Sequence, residues 1–100
     1  MERYINITTS GSATTLMEKG SNQVPASGLR SLRISNNSAN PATIIVDLYD
    51  GTTVFYICKN VIIPTGTVLL LQDNVSFDTQ LFNLRLYNTG TDPDLTVIMT

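Results

Sequence analysis

A chain of 100 residues, 42% hydrophobic and only 14% charged, makes one domain with enough apolar surface to build a core without disulfides or metal. Its charge content is well below the roughly 25% usual in soluble domains, and Thr, Ser and Asn make up the difference, which suits an all-β protein with extensive contacts. The formal charge is −2, and Arg3, Lys19, Arg30, Arg33, Lys59 and Arg85 stand singly, whereas neutralising a run of phosphates takes clustered Lys and Arg, so no nucleic acid is expected as a partner.

Met1-Glu2-Arg3-Tyr4 has neither the basic start nor the apolar stretch of a signal peptide, and no apolar run approaches about 18 residues. The expectation is a protein made in a cytoplasm, soluble and without a membrane partner. Tyr4 to Thr8 alternates as a strand does, and Thr9-Ser10-Gly11-Ser12 breaks it. A second short strand covers Ala13 to Met17. Glu18 to Gly28, with Gly20, Asn22, Pro25 and Gly28, reads as a loop, the longest irregular stretch and a natural place for contacts. Leu29 to Ser35 is a strand with Leu32 and Ile34 on one face and Arg33 on the other, ended by the turn residues Asn36-Asn37-Ser38 and Asn40-Pro41.

The clearest signal is a β-hairpin from Thr43 to Cys58 around Asp50-Gly51, a pair suited to a type I′ turn because its two central residues need φ > 0. A two-residue loop pairs Val46 with Phe55 and Ile44 with Ile57. A four-residue loop pairs Leu48 with Phe55 and Val46 with Ile57. Either way the parity puts Phe55 and Ile57 in the core and Tyr56 outside it. The opposite face of this hairpin carries Ile45, Tyr49, Val54 and Tyr56, with Asp47 among them. Water should cover that face of a monomeric sandwich, so an apolar patch there is a candidate interaction surface. The competing reading lays the Glu18 to Gly28 loop over it.

Val61-Ile62-Ile63 runs into Pro64, whose missing N–H restricts it to a strand end or edge. Pro64-Thr65-Gly66 fits a type I turn with proline second and glycine fourth. Val68 to Leu71 is apolar without interruption, which predicts cover on both faces, by core, loop or partner. Asp73-Asn74 is a turn, Val75 to Phe77 a short extended piece, and Asn83 to Tyr87 a strand with Leu84 and Leu86 inward. Leu95 to Met99 alternates and is expected to pair in a sheet. About eight short strands without a helical period make residues 1–100 a single antiparallel two-sheet β-sandwich, jelly-roll or immunoglobulin-like in topology.

The chain offers little equipment for a reaction. It has no histidine, which removes Ser-His-Asp and Cys-His constellations and histidine metal sites. A single cysteine excludes a thiolate zinc cluster and an intrachain disulfide; Cys58 reads as a packed, inert thiol. Asp50, Asp73, Asp78, Asp92 and Asp94 sit beside turn residues and are read as turn formers, and Asp92 with Asp94 lacks the ligand spacing of a calcium loop. The expectation is therefore no enzyme, no catalytic or metal residue, and no cofactor. Asn6-Ile7-Thr8, Asn36-Asn37-Ser38 and Asn74-Val75-Ser76 match the glycosylation acceptor pattern, which chance explains in a chain so rich in these residues.

Taken in order, Arg3 to Thr8, Leu29 to Asn36, Val46 to Gly51, Tyr56 to Gly66, Leu69-Leu70-Leu71, Asn74 to Asp78 and Asp94 to Ile98 resemble small virion structural proteins of tailed bacteriophages, especially T4-like phages of marine cyanobacteria. Thr9 to Gly28 has no counterpart in that pattern. The resemblance implies a non-enzymatic β-sandwich assembled into the virion in a bacterial host cytoplasm. Its first form is a capsid decoration or cement protein that bridges shell subunits as a homo-oligomer, a trimer by the symmetry of icosahedral three-fold positions; its second is a neck or tail component. From a different class, a carbohydrate- or surface-binding module would use Tyr4, Tyr49 or Tyr87 as stacking platforms.

Overall fold

The computed structural model describes residues 3–20, 28–72 and 75–100. It is all-β. The described residues form ten strands: β1 (Arg3–Ile7), β2 (Ala13–Met17), β3 (Gly28–Leu29), β4 (Leu32–Asn36), β5 (Ala42–Tyr49), β6 (Val54–Ile63), β7 (Val68–Leu71), β8 (Val75–Ser76), β9 (Asn83–Thr89) and β10 (Leu95–Met99). A back sheet has the order β1-β10-β4-β7 and a front sheet the order β2-β9-β5-β6, while β3 and β8 form a two-stranded ribbon.

The pairing is nested: β5 with β6, β4 with β7, β3 with β8, β2 with β9 and β1 with β10, all antiparallel. The chain is one long hairpin rolled up on itself. Contacts of β10 with β4 and of β9 with β5 then close the two sheets. This is the jelly-roll arrangement, not the immunoglobulin one.

Between the sheets lies the core. Leu32, Ile34, Leu95, Val97 and Met99 of the back sheet meet Leu16, Met17, Ile44, Val46, Leu84 and Leu86 of the front sheet, each at most 1% exposed. In β4, β9 and β10 the buried residues alternate with outward ones as period 2 requires. β2 departs from alternation because its register against β9 shifts between Thr15 and Met17. One extra residue there lets consecutive Leu16 and Met17 both turn inward.

Several expectations are corrected. At the hairpin tip Gly51 has φ 106 while Asp50 is not at positive φ, so the turn is not type I′. Instead the Asp50 carboxylate accepts from the N–H groups of Thr52 (2.8 Å) and Thr53 (2.7 Å), and Asp50 N donates to Thr53 O. These bonds hold the carboxyl below its ordinary pKa and build a four-residue loop. Leu48 accordingly faces Phe55, but β6 then carries two extra residues, so Cys58 and not Ile57 stands opposite Val46, and Val61 opposite Ile44. Asn60, at φ 57, lies in the second irregularity.

Phe55, expected in the core, is 51% exposed. Its parity is inward, but cover runs out toward the tip: Val46 is fully buried, Leu48 partly, and the Phe55 ring meets Phe82 edge-on at 5.7 Å. The proline turn is displaced by one residue. Thr67 N donates to Pro64 O, and Gly66 takes the third position with φ 73, as a type II turn requires. Finally, β7 is an edge strand with Leu69 and Leu71 against the core, while Val68 and Leu70 face outward at 52% and 39% exposure; no described residue of the chain covers that outer side. The proposed cover of the hairpin face by Glu18 to Gly28, and the Asp73-Asn74 turn, involve residues 21–27 and 73–74, outside the described ones.

Candidate functional site

The outer face of the front sheet is where chemistry gathers. Asp47 lies on the central strand β5, with Arg85 directly opposite on β9 and Tyr56 directly opposite on β6; Thr15 of β2 extends the row beyond Arg85. Arg85 Nε donates to Asp47 Oδ1 at 2.9 Å and Nη2 to Oδ2 at 3.3 Å. Two parallel bonds make this a fork-to-fork pair, the geometry that a guanidinium holds best. Asp47 is only 4% exposed although it points away from the core.

Aromatic rings flank the pair. The Arg85 guanidinium carbon lies 4.1 Å from the centroid of the Tyr49 ring, and the Tyr49 hydroxyl donates to Gly51 O at 2.8 Å, which fixes the ring. In the neighbouring row Ala13, Tyr87 and Ile45 stand side by side. Tyr56 is 53% exposed, with Lys59 Nζ 4.7 Å from its centroid. Ala13, Ile45, Asp47, Val54, Tyr56, Arg85 and Tyr87 together line a shallow cleft of about 230 Å³.

Of the four expected interaction residues, Ile45, Val54 and Tyr56 line this cleft. Tyr49 sits beneath the guanidinium, so one of its faces is already taken. Asp47, expected on this face, and Tyr87, expected only as a stacking platform of a binding module, also line the cleft, whereas Arg85 was not expected there, because nothing in the sequence says that β5 neighbours β9. The only signal was a charge among apolar residues in each of two strands. Of the three tyrosines considered as platforms, Tyr4 is on the opposite sheet.

On the back sheet's outer face the registers make two rows across all four strands, Tyr4–Ile98–Arg33–Leu70 and Asn6–Thr96–Ser35–Val68. A depression of about 330 Å³ is lined by Tyr4, Ser31, Arg33, Leu70, Gln72, Ile98 and Thr100. Tyr4 is 64% exposed there.

Among the described residues no three His, Cys, Asp or Glu side chains come together as a metal would need, and no helix is long and apolar enough to cross a membrane. Asn36 cannot serve as a glycan acceptor in the folded protein, being 1% exposed with both ends of its amide bonded. Cys58 is half-buried, and burial pushes its thiol pKa up. The folded value thus exceeds the unfolded one, so this thiol contributes stability that is present below about pH 9 and lost as pH rises through the raised value. A thiol reagent at pH 8 is expected to label the native protein slowly and the denatured protein fast; equal rates would place the sulfur in free solvent.

No family model, curated protein or solved structure matches this chain.

Proposed function

We propose that the chain is a non-enzymatic virion structural protein of a tailed phage, a capsid decoration protein that docks on its neighbours through the back sheet's outer face and the β7 edge. The observation that carries the reading is this face, on which Val68, Leu70 and Tyr4 remain 52%, 39% and 64% exposed in rows that run out to the edge strand β7. A four-residue edge without charge or proline offers its free backbone groups to another strand. Self-association there closes as a symmetric oligomer, for which the trimer suits three-fold positions of a shell.

The ordered motifs that resemble small phage virion proteins support the virion assignment. The jelly roll is compatible with it but serves many functions, so the fold alone does not choose. The front face suits featureless packing less well, since covering its ion pair without new hydrogen bonds would add desolvation cost.

Mass spectrometry of purified virions, separated into capsids and tails, tests the assignment. Recovery with capsids is expected; recovery with tails would move the protein to the neck or tail, and absence from both would end the virion reading. Light scattering of the purified chain tests the face. The wild type is expected to associate, and Leu70→Asp to be a folded monomer because Leu70 points outward; a monomeric wild type would remove self-association through β7.

A further inference from the structure

We propose that the front-face cleft is a binding site for a neutral saccharide, taking one sugar ring between Tyr56 and Tyr87 over a floor formed by Ile45 and the Asp47–Arg85 pair. This inference stands apart from the virion assignment and concerns the opposite face of the sandwich.

Asp47 occupies an unusual position. On the solvent side of an antiparallel sheet a polar residue is ordinary, but one that is 4% exposed and bidentately paired is not. Taking Asp47 almost wholly and Arg85 partly out of water costs free energy that a pair of apolar side chains would not, so stability alone gives little reason for the arrangement. What the arrangement provides is a rigid set of hydrogen-bonding groups. Arg85 uses two of its five N–H donors on Asp47, and three remain. Each Asp47 oxygen accepts one bond from Arg85 and keeps a further lone pair. Donors and acceptors therefore lie side by side, held by a cross-strand register and by the Tyr49 ring beneath the guanidinium.

Few ligand classes match this. Each hydroxyl of a sugar is both donor and acceptor, and two on adjacent carbons can donate to the carboxylate and accept from the guanidinium together. The C–H faces of the same ring are apolar and pack on tyrosine and isoleucine. Tyr56 on β6, opposite Asp47, and Tyr87 on β9, opposite Ile45, flank β5 on a diagonal, about 12 Å apart at the backbone for two strand spacings across and two residues along. The cleft of about 230 Å³ is small for a helix or a folded partner and of the size for a ring of six atoms with its substituents. Asp47 and Arg85 cancel each other's charge on the floor, which favours a neutral ring there, while the Lys59 ammonium over Tyr56 adds one hydrogen-bond donor at the rim.

The experiment is amide NMR of the ¹⁵N-labelled chain titrated with the methyl glycosides of glucose, galactose, mannose and N-acetylglucosamine and with their disaccharides. Saturable shifts are expected for at least one sugar at the amides of Ile45, Asp47, Val54, Tyr56 and Arg85, with the weak, millimolar-range affinity of a shallow single-ring site. Tyr56→Ala should weaken binding about tenfold or more without unfolding the protein, since that ring is 53% exposed. Asp47→Asn should weaken it comparably, and Tyr4→Ala on the other sheet should leave it unchanged. Absence of saturable shifts with every sugar, shifts confined to other residues, or undiminished binding by Tyr56→Ala would overturn the proposal. So would shifts of the same amides that follow protein concentration alone, which would make a second copy the occupant.

Discussion

Asn36→Ala is expected to lower the unfolding free energy by about 3–4 kcal/mol, a large share of the roughly 5–15 kcal/mol that holds a domain together. Asn36 ends β4 and is 1% exposed. Its Nδ2 donates to the carbonyls of Asn40 and Ile63, both at 2.9 Å, and its Oδ1 accepts from Ser38 N at 3.0 Å and Ser38 Oγ at 2.7 Å. One amide thus ties the 37–41 turn to the end of β6. Its own backbone N–H and carbonyl bond Thr67 O and Gly66 N, which adds the 64–67 turn to the same knot. Alanine keeps the backbone bonds but leaves these groups without their side-chain partner, and the Ile63 carbonyl, in a buried residue, has little access to water. Unsatisfied buried groups cost about 1–3 kcal/mol each. Thermal unfolding should show the midpoint falling by about 12 °C or more, at about 4–8 °C per kcal/mol for a domain of this size. Asn36→Asp should be no milder, because a carboxylate cannot donate to two carbonyls. A loss below about 1 kcal/mol for alanine would mean the knot is not carried by this side chain.

Leu86→Ala should cost about 2–5 kcal/mol, while Phe55→Ala should cost only about 1 kcal/mol. Leu86 lies mid-strand in β9 between Val46 of β5 and Thr14 of β2 and is fully buried, so truncation opens a cavity that a two-sheet core closes poorly. Phe55 is the larger side chain, but it is 51% exposed and its ring meets Phe82 edge-on. Urea unfolding of both variants at unchanged m-value is the check. Comparable losses would mean that the hairpin tip is packed as tightly as the centre.

The identity of most elements was legible in the chain. Alternation of Leu84 with Leu86 and of Leu95 with Val97 and Met99 determined which face of each strand is buried, because a period of 2 leaves one choice of parity. The absence of histidine and the lone cysteine likewise removed whole classes of chemistry before any fold was known. Local pattern was also enough to place Ile45, Val54 and Tyr56 on the outer hairpin face, where they line the cleft.

What the chain could not disclose by itself was everything that depends on contacts between distant residues. Hairpin parity put Phe55 inward, but whether an inward residue is covered depends on how far the other sheet extends. The two extra residues in β6 exchanged Ile57 for Cys58 opposite Val46, and such irregularities leave only faint traces in composition. Jelly-roll and immunoglobulin sandwiches share the same strand grammar, and only the nested pairing of β1 with β10 and β2 with β9 separates them. The same pairing created the site. Asp47 and Arg85 are 38 residues apart, each a single charge among apolar neighbours, and they become a partly buried ion pair because β9 returns beside β5. Periodicity is a property of one strand, whereas a fork of charges between two strands belongs to the sheet, so the first was decided by sequence and the second by tertiary structure.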